Sequence, residues 1–292
     1  MLRTLGLALA DPLGLRFFTS EKERGFAIIT VFMILTALAV MVGGFLVLTG
    51  VTMKEKGIHI EDAKSFWLAE AGIQKALWYL KTPVNLAGRG DAWTTSGLSE
   101  SAGDGTYNIQ VSVWDFALST TGSTVSASSQ NGVNIPARAQ DGNDSSYWES
   151  GSAPTSATPQ TLTITFPYAI RLQKVRFFLP NTSNGYRPVD YSWQGSSNGS
   201  QFNDLISVSA NTQLDRTDEF PITSPLSYLR LRVTRAPGNA GVRIATLQVL
   251  GVQILSTGST GGVNRRLMRT AVVDDTTRTA AEENDWNEVP PA

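Results

Sequence analysis

The sequence predicts an α+β protein, with one very long N-terminal helix followed by β-rich regions, one of them an all-β sandwich. Three observations carry this. Phe26–Val51 is a charge-free apolar run whose helical character continues to Leu80. Short alternating stretches recur between residues 161 and 234. Two further strand-like regions, 103–113 and 252–273, lie on either side of that block. A length of 292 residues leaves room for roughly two domains.

Composition narrows the function. Lys and Arg total 24 against 25 for Asp and Glu, so no excess charge points to nucleic acid. There is no cysteine and a single histidine, His59, which excludes thiolate chemistry and His-rich metal sites. A Ser/His/Asp set would need more histidine, and no glycine-rich phosphate loop follows a strand. The paired carboxylates Asp274–Asp275 and Glu282–Glu283 read as an acidic tail outside any recognisable cleft. The chain is therefore expected to bind rather than to catalyse.

The helix comes first. Over Phe26–Val51 it would cover about 39 Å, more than the roughly 30 Å of a bilayer core. A secretory h-region would be shorter and end in a small-residue cleavage site. Positive charge does not orient the span, since Arg16, Lys22 and Arg24 precede it and Lys54, Lys56 and Lys64 follow. Beyond the apolar run, Ala63, Phe66, Trp67, Ile73, Leu77 and Leu80 keep helical spacing until Pro83 and Gly88. Gly43 and Gly44 read equally as points of local unwinding or as close-packing sites between helices. His59, with Glu55, Glu61 and Asp62 around it, reads as a solvated helix face.

The β-rich part follows. "GDGTYNIQVSV" (103–113) alternates as a strand, and "VQILSTGSTGGVNRRLMRTAVV" (252–273) reads as two strands around a turn at Gly258–Gly262. Between them, "STTGSTVSASSQNG" (119–132) reads as a linker. It is followed by strands "TLTITF" (161–166), "KVRFFL" (174–179), "VDYSWQGS" (189–196) and "YLRLRVT" (228–234), the spacing of a sandwich.

"ERGFAIIT" followed by "AKSFWLAEAGIQKAL" resembles the N-terminus of type IV pilin-like proteins, especially the minor pilins related to PilX and the pseudopilin GspK. The resemblance implies a leader over 1–25, prepilin peptidase cleavage between Gly25 and Phe26, and N-methylation of Phe26. It implies a pilin helix over 26–82, of which 26–51 is the transmembrane or filament-core part, and a globular sheet formed by 83–118 and 252–292. Major pilins carry an assembly carboxylate where this chain has Thr30, which points to a minor, tip-proximal subunit. The leader is unusually long and carries Asp11, Glu21 and Glu23.

In that family the two outer strand regions are sheet neighbours, so 125–251 reads as an insertion. "ARAQDGNDSSYW", "TLTITFPYAIRLQKVRF", "YSWQGSSNGSQFNDL" and "SYLRLRVTRAPGNAGVRIATLQVLG" resemble, in order, the motifs of the discoidin or F5/8 type C domain, a jelly-roll sandwich that includes family 32 carbohydrate-binding modules. That resemblance implies a structural calcium near Asp141, Asn143 and Ser146, weakened because Thr246 replaces the last-strand Glu. An equal reading has Asp141 bracing a turn. It also implies ligand-binding loops with Tyr147, Tyr186, Arg187 and Asn239, and places Trp148 and Trp193 in the core.

Together these imply a minor pilin-like subunit displaying a carbohydrate- or surface-binding module. Its partners would be other pilins, the peptidase, the inner membrane before assembly and a glycan or surface polymer. It would reside in the bacterial inner membrane, then at the pilus or cell surface. The alternatives are a type II secretion pseudopilin in the periplasm and an uncleaved, membrane-anchored carbohydrate-binding protein.

Overall fold

The computed structural model describes residues 21–179, 181–283 and 287–289, with side chains for 29–179 and 182–283. The leader up to residue 20 and Trp286 lie outside the described residues. Gly25 and Phe26 are described as helical backbone alone. The helix α1 spans Glu21–Lys81, so it begins before Phe26 rather than at it.

The chain divides into two compact units, Met1–His59 and Ile60–Ala292. In the first, every side chain from Ile29 to Leu48 is exposed and α1 runs unbroken through Gly43 and Gly44. Among the described residues this is the one helix long and apolar enough to cross a membrane. Its threonines turn their hydroxyls back onto the helix, with Thr36 donating to Phe32 O (2.8 Å) and Thr52 to Leu48 O (3.1 Å). Such back-bonding satisfies a hydroxyl where water is absent.

The second unit contains the rest of α1, a four-residue helix α2 (Phe116–Ser119) and fifteen described strands. These are β1 (Thr95–Ala102), β2 (Gly105–Asp115), β3 (Thr124–Ala127), β4 (Trp148–Glu149), β5 (Gln160–Ile170), β6 (Lys174–Phe178), β7 (Asp190–Ser196) and β8 (Asn203–Val208). They continue with β9 (Asp215–Glu219), β10 (Leu226–Arg235), β11 (Arg243–Ile244), β12 (Thr246–Thr260), β13 (Val263–Asp274), β14 (Thr279–Glu282) and β15 (Asn287–Val289). One sheet runs β1-β2-β12-β13-β14, with β15 on β13 and with β6 and then β9 joined to β12. A second runs β3-β5-β10-β7-β8, and β11 pairs with β4. All pairings are antiparallel. The molecule is thus α+β, as the sequence predicts.

Two cores follow from these pairings. Ala69, Ile73, Ala76, Leu77 and Leu80 of α1 bury against Tyr107, Ile109 and Val111 of β2 and Val252 and Ile254 of β12. The sandwich core joins Leu162 and Ile164 of β5, Leu229 and Leu231 of β10, and Phe177 of β6 with Trp148 and Trp193, both 0% exposed. The expected core placement of the two tryptophans holds. Under them Asp218, 1% exposed, accepts from Tyr191 Oη (2.7 Å), Trp193 Nε1 (2.8 Å) and Arg216 Nε (2.7 Å). A buried carboxylate persists because each of these donors answers it.

Several local readings are corrected. The stretch read as a linker, 119–132, contains β3, whose Val125 pairs with Ile164, so it is an edge strand of the sandwich. Its Ser/Thr-rich composition hid a half-buried alternation. The turn read at Gly258–Gly262 is only Gly261–Gly262, at φ 54° and 81°, closing the Thr260↔Val263 pair. Positive φ at two successive residues is what such a tight hairpin requires. Strand β1 is not anticipated, because "TSGLSESA" has one large apolar residue, Leu98, and no apolar alternation. Glu61 and Asp62 are not merely solvated: Thr260 Oγ1 donates to Glu61 (2.9 Å) and Arg265 binds Asp62 through two nitrogens (2.5 and 2.6 Å). Nor is 274–283 a loose acidic tail. Asp274 is buried at the end of β13, β14 pairs with β13, Glu282 meets Arg269, and Glu283 accepts from Arg171 N (2.9 Å).

Candidate functional site

The loops at one end of the sandwich converge on Arg243. Strand β11 sets Arg243 directly opposite Glu149 of β4, and its Nε donates to Glu149 Oε2 (2.9 Å). Glu149 is buried and its remaining capacity is filled by Asn131 Nδ2 (2.8 Å) and Asn134 Nδ2 (3.3 Å). Asn134 is steadied in turn by Arg138 (3.2 Å). The guanidinium carbon of Arg243 lies 4.5 Å from the ring centre of Tyr147 and 3.6 Å from that of Tyr186. Both separations are within cation–π range.

The consequence is a cation held on three sides. Two half-buried aromatic rings flank it, a buried carboxylate holds Nε, and its Nη atoms have no protein acceptor among the described residues. Tyrosine rings beside fixed donors present an apolar surface and hydrogen-bonding capacity together, the usual make-up of a small-ligand site.

The residues expected in ligand loops fare differently. Tyr147 and Tyr186 are brought to one guanidinium across a 39-residue separation that no local pattern spans. Arg187 is turned to bracing its own loop, donating to Asn184 O (2.8 Å), Asn184 Oδ1 (2.7 Å) and Asn211 O (3.2 Å). Asn239 is exposed in the turn after β10. Arg243 and Glu149 were missed. In "GVRIA" and "YWES" they look like the outward residues of ordinary strands, and only their pairing across the sheet singles them out.

The loop expected to hold calcium is a braced turn. Asp141 Oδ1 accepts from Asn143 N (2.8 Å) and Oδ2 from Ser146 Oγ (2.5 Å), while Asn143 Oδ1 accepts from Ser145 N (3.0 Å). Thr246 Oγ1 is spent on Asp144. Among the described residues no group of three His, Cys, Asp or Glu side chains could hold a metal. The expected oxygens of Asp141 and Asn143 accept from donors of their own loop.

With this geometry in place, comparison with known proteins bears on the domain. Residues 124–247 match the model of the F5/8 type C domain, which sets the class of the sandwich; the match covers less than half of the chain. The start of the match falls at β3, in agreement with its place in the sheet. Among solved structures, the chain is similar to the family 32 CBM from Clostridium perfringens NanJ in complex with galactose. That similarity is at 19% identity, covering 47% of this chain and 98% of that one, with a TM-score of 0.42. It is also similar to a CBM32 from Clostridium perfringens in complex with GalNAc-β-1,3-galactose (19% identity, 46% and 98% covered, TM-score 0.41). A third is chitosan-binding module 1 from the chitosanase/glucanase of Paenibacillus sp. IK-5 (18% identity, 47% and 98% covered, TM-score 0.40). None of the curated proteins matches the chain.

Proposed function

We propose that this protein is a membrane-tethered carbohydrate-binding protein in which the sandwich captures a glycan at the Tyr147–Arg243–Tyr186 cluster. The observation that carries this reading is the immobilised Arg243 with open Nη donors between two aromatic rings, at the loop end of an F5/8 type C match. Binding, not catalysis, is its role. In a glycan array of the full chain in detergent, the wild type retains at least one glycan class. Arg243→Ala and Tyr186→Ala each weaken that binding by about tenfold or more. A blank array for the wild type, with and without calcium, would reduce the sandwich to a spacer. Unchanged binding by both variants would move the site elsewhere.

We infer further that the helix is prepilin-like and makes the protein a minor pilin-like subunit. The supporting observation is its second half, Ile60–Lys81, which packs on a small sheet through glycine contacts instead of ending in a linker. Mass spectrometry of the N-terminus from the membrane fraction tests this. A methylated Phe26 is expected. An intact leader in the presence of active peptidase leaves the uncleaved anchor, and processing without surface display favours the periplasmic pseudopilin.

A further inference from the structure

A cavity of about 310 Å³ opens on the second unit, away from Arg243 and sharing no residue with that cluster. One wall is apolar, made by Trp93 and by Val113, which is 62% exposed at β2. Polar groups share the lining. Lys174 Nζ sits between Asp91 (2.6 Å) and Glu219 (3.1 Å). Burial works against the Lys174 charge, but the two carboxylates outweigh it and hold the ammonium above the ordinary lysine range. The trio carries a net charge of minus one.

Gln173, the residue before β6, also lines the cavity, at 4% exposure. The cavity's size is at the lower end of ligand sites. An indole and a valine, with an amide, an ammonium and two carboxylates around the same cavity, suit a ring that has an apolar face and several hydroxyls.

We propose that this cavity is a second ligand site, taking a single sugar ring that is neutral or amine-bearing. The net negative wall ranks the ligands, favouring an ammonium group and disfavouring a carboxylate. The walls come from both outer-sheet and sandwich segments, since Asp91, Trp93 and Val113 lie outside residues 124–247. The site therefore depends on the two being folded as one.

The test uses the full chain in detergent with three probes, glucosamine, glucose and glucuronic acid, followed by saturation-transfer NMR and titration calorimetry. Glucosamine is expected to bind at least as well as glucose, and glucuronic acid least. Val113→Trp, at an exposed position, fills the mouth and raises Kd by about tenfold or more. Thr217→Tyr does the same from β9, so a folding defect in one variant leaves the other to decide. The plugging variants are measured in the Arg243→Ala background, so that binding at the glycan cluster does not contribute and what remains is read from the cavity. Binding by none of the probes, tightest binding by glucuronic acid, indifference to both plugging variants, or loss of all binding on Arg243→Ala would each overturn the proposal.

Discussion

Glu100 of β1 receives two tyrosine hydroxyls, Tyr107 Oη at 2.6 Å and Tyr79 Oη at 3.1 Å, with Lys75 Nζ at 3.9 Å. The Tyr107 bond, against some burial cost and with help from Tyr79 and Lys75, holds its carboxyl below the usual glutamate range. A carboxyl depressed on folding stabilises the fold above its unfolded pKa and loses that contribution as pH falls through the folded value. Acid should therefore weaken the attachment of α1 to the β1–β2 hairpin. Glu100→Gln is expected to shrink the difference in urea midpoint between pH 7 and pH 3; an undiminished difference would assign the acid sensitivity to other groups. At this scale the sequence was half legible. Loop position pointed to Tyr147 and Tyr186, but nothing near Arg243 distinguishes it from the other arginines of alternating strands. Its partner Glu149 is 94 residues away.

At the scale of elements, the closeness of α1 to its sheet depends on glycines. A Cβ on Gly258 would fall 2.0 Å from Ser65 O and 2.5 Å from Ala69 N, backbone atoms that cannot rotate aside. Gly72 is crowded by the Ser256 side chain, and Gly105 by the Leu68 side chain and Ser259 O (2.7 Å). Gly258→Val is expected to destabilise the second unit by about 1–3 kcal/mol or more through overpacking. Gly185→Ala, with open space around it, serves as the control. Equal denaturation midpoints for the two variants would show that the helix shifts without cost. The sequence presented Gly258 as part of a turn, since a glycine cluster signals a turn locally. Its true role, making room for a helix carried by a distant segment, has no local signature.

For the whole second unit, the decisive element is β12. Thr246–Leu250 pairs with β6 of the sandwich, while Leu250–Ser259 pairs with β2 of the small sheet, so one strand serves both. Phe116, before the sandwich begins, is 1% exposed within the sandwich core, and Asp115 Oδ1 accepts from Val249 N (3.0 Å). The sandwich is therefore not a bead on a tether. Phe116→Ala is expected to cost about 3–5 kcal/mol and to lower one shared thermal transition of sheet and sandwich. Two separate transitions, with only one affected, would show that the halves unfold independently.

The long apolar helix, the alternating strands and the order of the motifs can be read along the chain, because periodicities of 3.6 and 2 are written in adjacent residues. That β12 is shared, that Gly258 receives a helix, and that Tyr147 and Tyr186 meet Arg243 emerges with the packed fold. Those contacts arise from strand register and layer packing between segments remote in the chain, and no local pattern encodes which remote segment will be the neighbour.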